Sequence, residues 1–150
     1  MSTLALDLGT STGFALLHPA GVCISGTWDF QPKRHEDAGM RFVRFREQLD
    51  VMKRDSGVTV IYFEEVRRHI GTTAAHVYGG FLAMLKAWCV DNGVSYQSVP
   101  VGEIKKSWTG KGNAKKDEMI AEARRRGYDP VTDDEADAIA ILVLKTGGVS

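Results

Sequence analysis

The sequence predicts an α/β fold: a five-stranded mixed sheet flanked by helices on both faces. Two observations lead there. The first thirty residues read as three consecutive strands separated by glycine-containing turns. From residue 36 onward, helix-spaced apolar stretches alternate with two short runs rich in β-branched and aromatic residues. Early strands followed by alternating helix and strand fit a mixed sheet covered by helices.

Each element has its own justification. Residues 4–9 form an apolar strand, residues 13–18 its continuation, and residues 22–30 a third strand after the Pro19-Ala20-Gly21 turn. Residues 36–55 carry Phe42, Phe45, Leu49 and Met52 at helical spacing. Residues 58–63 form the fourth strand and residues 94–99 the fifth, ended by Pro100. Between them residues 72–92 read as a long helix closed by Gly93. Two further helices are expected at about residues 115–126 and 133–145. The long helix is apolar nearly all round: Ala74, Val77, Phe81, Leu85 and Trp88 form one stripe, and Ala75, Tyr78, Leu82 and Cys89 another. One side must meet the sheet; the other is open to burial under its own domain or against a second subunit.

At 150 residues the chain is expected to be one domain, residues 1–150, with a real core. Its longest apolar run, residues 138–144, is far short of a membrane span. No basic segment leads into a long apolar one at the start, so no secretory leader is expected. The two cysteines, Cys23 and Cys89, suit a reduced cytoplasm and offer no zinc site. The zero net charge hides an asymmetry. Lys105, Lys106, Lys111, Lys115, Lys116, Arg124, Arg125 and Arg126 crowd one stretch, and acids dominate after it. Such a distribution fits either an enzyme that grips polyanions and coordinates cations or an ordinary mixed surface.

The acids are the informative part. Asp7 sits in an apolar strand followed at once by glycine, and no Lys or Arg precedes Lys33. A buried carboxylate is costly unless paired, protonated or bound to a cation. Glu64 ends the fourth strand, and alternation sends it and Glu65 to opposite faces, so only one can join Asp7. Thr132 and Glu135 have the spacing of a capping box, which starts the last helix there. Asp134 and Asp137, three residues apart, then share a face. Together Asp7, Glu64, Asp134 and Asp137 would repel one another without a cation, and carboxylate oxygens favour Mg²⁺ or Mn²⁺. Two such ions in one site are the apparatus that cleaves phosphodiesters.

These residues resemble the RuvC-type Holliday junction resolvases of the ribonuclease H-like superfamily. The resemblance rests on Asp7 in a glycine-followed first strand, on Phe63-Glu64-Glu65-Val66, and on Asp134 and Asp137-Ala138 opening the last helix. The local wording is closer to the bacteriophage and prophage branch. The resemblance implies a homodimeric, Mg²⁺-dependent endonuclease that nicks four-way DNA junctions and other branched DNA, leaving 5′-phosphate and 3′-hydroxyl ends. It implies four metal-ligating, catalytic acids, with Lys116 near the scissile phosphate as a further catalytic residue. Lys111 and Lys115 would bind backbone phosphates. Housekeeping members carry an apolar wedge after the strand-four glutamate; here Arg67-Arg68-His69-Ile70-Gly71 is basic, and Arg67 and Arg68 would bind DNA. His69 and His76 read as surface or packing residues, and Trp108 as core ahead of base stacking.

Two other families share the opening words. Asp7-Leu8-Gly9-Thr10-Ser11-Thr12-Gly13 also resembles the first phosphate-binding loop of sugar kinases and actin-like ATPases, which bind ATP between two duplicated domains. The single-domain YqgF relatives, which process RNA, share the first strand and its glycines. A non-catalytic DNA-binding module is the remaining reading.

Overall fold

The computed structural model describes residues 1–148. The chain runs β1 (Ser2–Asp7), β2 (Ser11–Leu17), β3 (Cys23–Asp29), α1 (Met40–Ser56), β4 (Val58–Glu65), α2 (Thr72–Asn92), β5 (Ser95–Pro100), α3 (Val101–Thr109), α4 (Lys116–Arg125) and α5 (Asp133–Thr146). The five strands form one mixed sheet in the order β3-β2-β1-β4-β5. Consecutive β1, β2 and β3 are antiparallel, whereas β4 lies parallel to β1 and β5 parallel to β4. The expected sheet is therefore present, with β1 at its centre. Its Leu4, Ala5 and Leu6 are wholly buried because both faces of a central strand are covered.

The two faces carry different helices. Leu4, Leu6, Ile61 and Phe63 point toward α1 and α2, where Phe45, Leu49, Phe81, Leu85 and Trp88 close the core. Phe81 meets the rings of Phe45 and Phe42 edge-on, at centroid separations of 5.2 and 5.0 Å. Burying a side chain of that size contributes about 1.5–3 kcal/mol. The opposite face carries Ala5, Ala15 and Val99 against α3, α4 and α5, whose Ile104, Trp108, Met119, Ile139 and Ile141 fill the second layer. Small Ala5 and Ala15 on the strands leave room for the backbone of α5 to lie close over β1 and β2.

Local chemistry sets the boundaries. Gly21, at φ +85°, turns β2 into β3, with His18 N–H donating to the Val22 carbonyl at 2.9 Å. Gly57 and Gly93 adopt left-handed conformations at the ends of α1 and α2. Helix α1 begins at Met40 rather than residue 36. The Asp37 carboxylate accepts from Gly39 N–H, and Glu36 turns back to accept from Lys33 N–H and pair with Arg44, so these acids hold a turn before the helix.

Helix α3 was not expected from the sequence. It has nine residues and a single apolar pair, Ile104 and Trp108, facing the core. That i,i+4 pair between Pro100 and Gly110 is the signal that marks it. Among the described residues, no helix is long and apolar enough to cross a membrane.

Candidate metal centre

Strand register builds the first half of the site. Leu6 of β1 pairs with Phe63 of parallel β4, so Asp7 and Glu64 each follow one residue later. Alternation puts both on the face of Ala5 and Tyr62, toward α5, and sends Glu65 to the α2 side beside Phe63 and Tyr78. Helix α5 supplies the second half. Thr132 caps it by accepting the Glu135 N–H at 3.1 Å, and Asp137 stands one turn in, just before the buried run from Ala138 to Leu142. Carboxylate oxygens of Asp7, Glu64 and Asp137 all lie within 4.8 Å of one another.

The electrostatics of this triad are unfavourable without a cation. Burial pushes the Asp7 carboxyl well above the ordinary range for aspartate, and the charges of Glu64, Asp137 and Asp134 push the same way. Asp137 is pushed up to about 7, first by burial and then by Glu64, Asp133 and Asp134. Among the described residues, none of the three acids has an ion-pair partner, and the contact of Asp7 with the Glu64 carboxyl raises the Asp7 carboxyl further. Three converging carboxylates with no lysine or arginine in ion-pair contact fit a hard divalent cation.

The other expected site residues fall in different places. Asp134 shares the helix face of Asp137 but does not join the triad: the Ser11 hydroxyl donates to its Oδ2 at 3.0 Å and holds it toward the β1–β2 turn. Its charge still bears on Asp7 and Asp137. Lys116 opens α4 and faces Asp133 at 3.6 Å, with its side chain 85% exposed. Lys111 pairs with Glu118 at 2.9 Å, and Glu118 also accepts the Lys115 N–H at 3.2 Å. Arg67 reaches Glu65 at 3.4 Å, and Arg68 is exposed. Both arginines flank a groove with Pro100, Val101 and Gly102. His69 packs beside Tyr78 at a ring separation of 5.1 Å, and His76 is exposed.

Two features went unseen in the sequence. Lys105, on the unexpected α3, is the cation whose charge draws the Asp137 carboxyl back down. Arg126, counted with the basic stretch, is committed internally. Its guanidinium lies 4.0 Å from the centre of the Trp108 ring, donates to the Trp108 carbonyl at 2.9 Å and pairs with Glu122 at 2.8 Å. Trp108 itself is core, its indole N–H donating to the Met119 carbonyl at 3.1 Å.

No protein-family model and no curated protein matches the chain. Solved structures do. RuvC of Thermus thermophilus in complex with a Holliday junction substrate superposes with a TM-score of 0.75 at 22% identity, over 94% of this chain and 90% of that one. A second structure of Thermus thermophilus RuvC gives 0.70 at 21% identity, over 100% of this chain and 99% of that one. The yeast mitochondrial Holliday junction resolvase Ydc2 gives 0.60 at 17% identity, over 93% of this chain and 75% of Ydc2. These likenesses agree with the β3-β2-β1-β4-β5 sheet and its helices on both faces: the chain has the ribonuclease H-like α/β fold seen in RuvC.

Proposed function

We propose that this chain is a divalent-metal-dependent endonuclease for branched DNA, with four-way junctions as its first substrate. The observation that carries this reading is the convergence of Asp7, Glu64 and Asp137 on a fold shared with a resolvase solved on its junction. Those three carboxylates, with Asp134 at their margin, would hold magnesium or manganese, two ions to a site. Divalent ions there would supply Lewis-acid activation of water and stabilise charge on the departing 3′-oxygen, giving 5′-phosphate and 3′-hydroxyl ends.

The chain's own residues would present the DNA. Lys105, whose charge bears on Asp137, is the first candidate to face the phosphate being cut. Lys116, exposed near the start of α5, is the second candidate for that position. Lys111, Lys115, Arg67 and Arg68 would grip flanking phosphates and so orient the duplex arms. Between Arg68 and α2, Ile70 is fully exposed at the edge of an apolar groove beside Leu8 and Val77. An apolar tip there favours junction opening more than the basic wording of the segment suggested.

The reading includes a homodimer in the cytoplasm, encoded by a phage or prophage. The outer face of α2 supports the pairing, since Gly79, Ala83 and Ala87 are exposed on successive turns and would let a second helix approach closely.

The test is a cleavage assay on a synthetic four-way junction, with flap, duplex and structured RNA as matched substrates. Cutting of the junction in Mg²⁺ or Mn²⁺ and none in EDTA is expected. Equal cutting of structured RNA would instead favour a YqgF-like role, and ATP turnover without cutting would favour the ATPase-like one. Absence of any metal-dependent cutting would overturn the nuclease reading.

A further inference from the structure

The start of α5 is tied to β3 by a buried acid that the metal centre does not use. Glu135 is only 6% exposed, yet both its oxygens are occupied. Oε2 accepts from the Ser25 hydroxyl at 2.7 Å, and Oε1 accepts from the Val131 N–H at 2.9 Å. Two residues along β3, on the same face, Thr27 Oγ1 lies 2.7 Å from Thr132 Oγ1. The sequence assigned Glu135 to a capping box. Instead its side chain passes the helix cap and anchors to a strand 110 residues away. A carboxylate stays in such a place only where hydrogen bonds replace its lost water.

The position of this anchor on the helix matters. At roughly 100° per residue, Glu135 and Asp137 are about 200° apart, on opposite flanks of α5. One flank holds β3 through Ser25; the other presents Asp137 to Asp7 and Glu64. The anchor therefore fixes rotation of α5 about its own axis. A rotation of about 20° would carry the Asp137 carboxylate by about 2 Å, the length of a whole metal–oxygen bond.

We propose that Glu135 is a positioning residue: its bond to Ser25 sets the rotation of α5 and thereby the affinity of the acidic triad for a divalent ion. The role rests on reading Asp7, Glu64 and Asp137 as a metal centre. Glu135 need not touch the ion or the DNA to exert it.

The test is Mn²⁺ titration of the full chain, followed by the paramagnetic resonance signal of free ion, well below each variant's melting temperature. Wild type should bind and Asp137→Asn should not. Glu135→Ala should bind about tenfold or more weakly, as loss of a supporting contact behind metal ligands typically does. Glu135→Gln should recover near wild-type affinity, since its amide oxygen can accept from Val131 N–H while its NH₂ donates to Ser25 Oγ. Ser25→Ala should weaken binding in the same direction as Glu135→Ala, and the double variant should be no worse than Glu135→Ala alone. Should Glu135→Ala fail to fold, Ser25→Ala carries the test. Wild-type affinity in the alanine variants, or a Glu135→Gln loss equal to that of Glu135→Ala, would overturn the positioning role while leaving the metal centre standing. No Mn²⁺ binding by wild type would overturn both.

Discussion

A methyl group placed on Gly13 would stand 1.8 Å from the carbonyl oxygen of Asp134 and 2.2 Å from its carbonyl carbon. The contact is with backbone, so no side chain can swing aside to relieve it. Strand β2 therefore keeps a glycine where the first turn of α5 presses on the sheet, and that contact sets the height of the helix above Asp7. Gly13→Ala is expected to destabilise the fold by about 3 kcal/mol through overpacking. Urea unfolding checks this, and an unchanged midpoint would mean that α5 rises without cost.

Metal-free stability should depend on pH in an unusual direction. The Asp137 carboxyl rises from 3.8 to about 7 in the folded chain, and Asp7 rises as well. Between those values the folded state binds more protons than the unfolded one, so stability falls as pH rises through this window. Melting in EDTA should accordingly give a lower Tm at pH 8 than near pH 5 from this contribution, and Mn²⁺ should restore the Tm at pH 8. Equal pH profiles for wild type and the Asp7→Asn, Asp137→Asn double variant would contradict the assignment.

Asp137→Asn separates function from stability. It removes one of three crowded negative charges, so the metal-free variant should be more stable than wild type at pH 8, by about 1–2 kcal/mol. Cutting should be abolished, the Mn²⁺-induced rise in Tm lost, and junction affinity little changed. Chemical denaturation in EDTA measures the first effect, and gel-shift titration the last.

Lys105 and Lys116 make different demands. Lys105 bears on Asp137, whereas Lys116 faces Asp133 and solvent. Lys105→Ala should slow single-turnover cutting by about a hundredfold, the scale set by removing one charge-stabilising group. Lys116→Ala should slow it less. A larger defect in Lys116→Ala would move the stabilising charge from α3 to α4.

The basic residues should divide in a salt titration. Arg68 has no ion-pair partner among the described residues, so Arg68→Ala should lower the salt slope of junction binding by about one unit. Arg126 is clamped between Trp108 and Glu122, so Arg126→Ala should leave the slope unchanged and cost about 1–3 kcal/mol of stability. Equal effects on the slope would mean that Arg126 leaves its clamp for DNA.

The sequence by itself determined the strands, four of the five helices and which acids could meet. Asp7, Glu64 and Asp137 were legible because strand alternation and the i,i+3 helical repeat are local periodicities, readable without knowing any long-range contact. The turns at Gly21 and Gly93 were legible for the same reason, or nearly so, since each is dictated by a few neighbouring residues. Tertiary structure alone decided the remainder. Ser11 binds the Asp134 carboxylate across 123 positions of sequence, and Ser25 turns a capping glutamate into a strand anchor across 110. Lys105 bears on Asp137 only because a single apolar pair, too short a pattern to stand out, docks α3 on the sheet. Hydrogen-bond partners of a charged group depend on what the fold brings within about 3 Å of it, and no spacing along the chain encodes that distance.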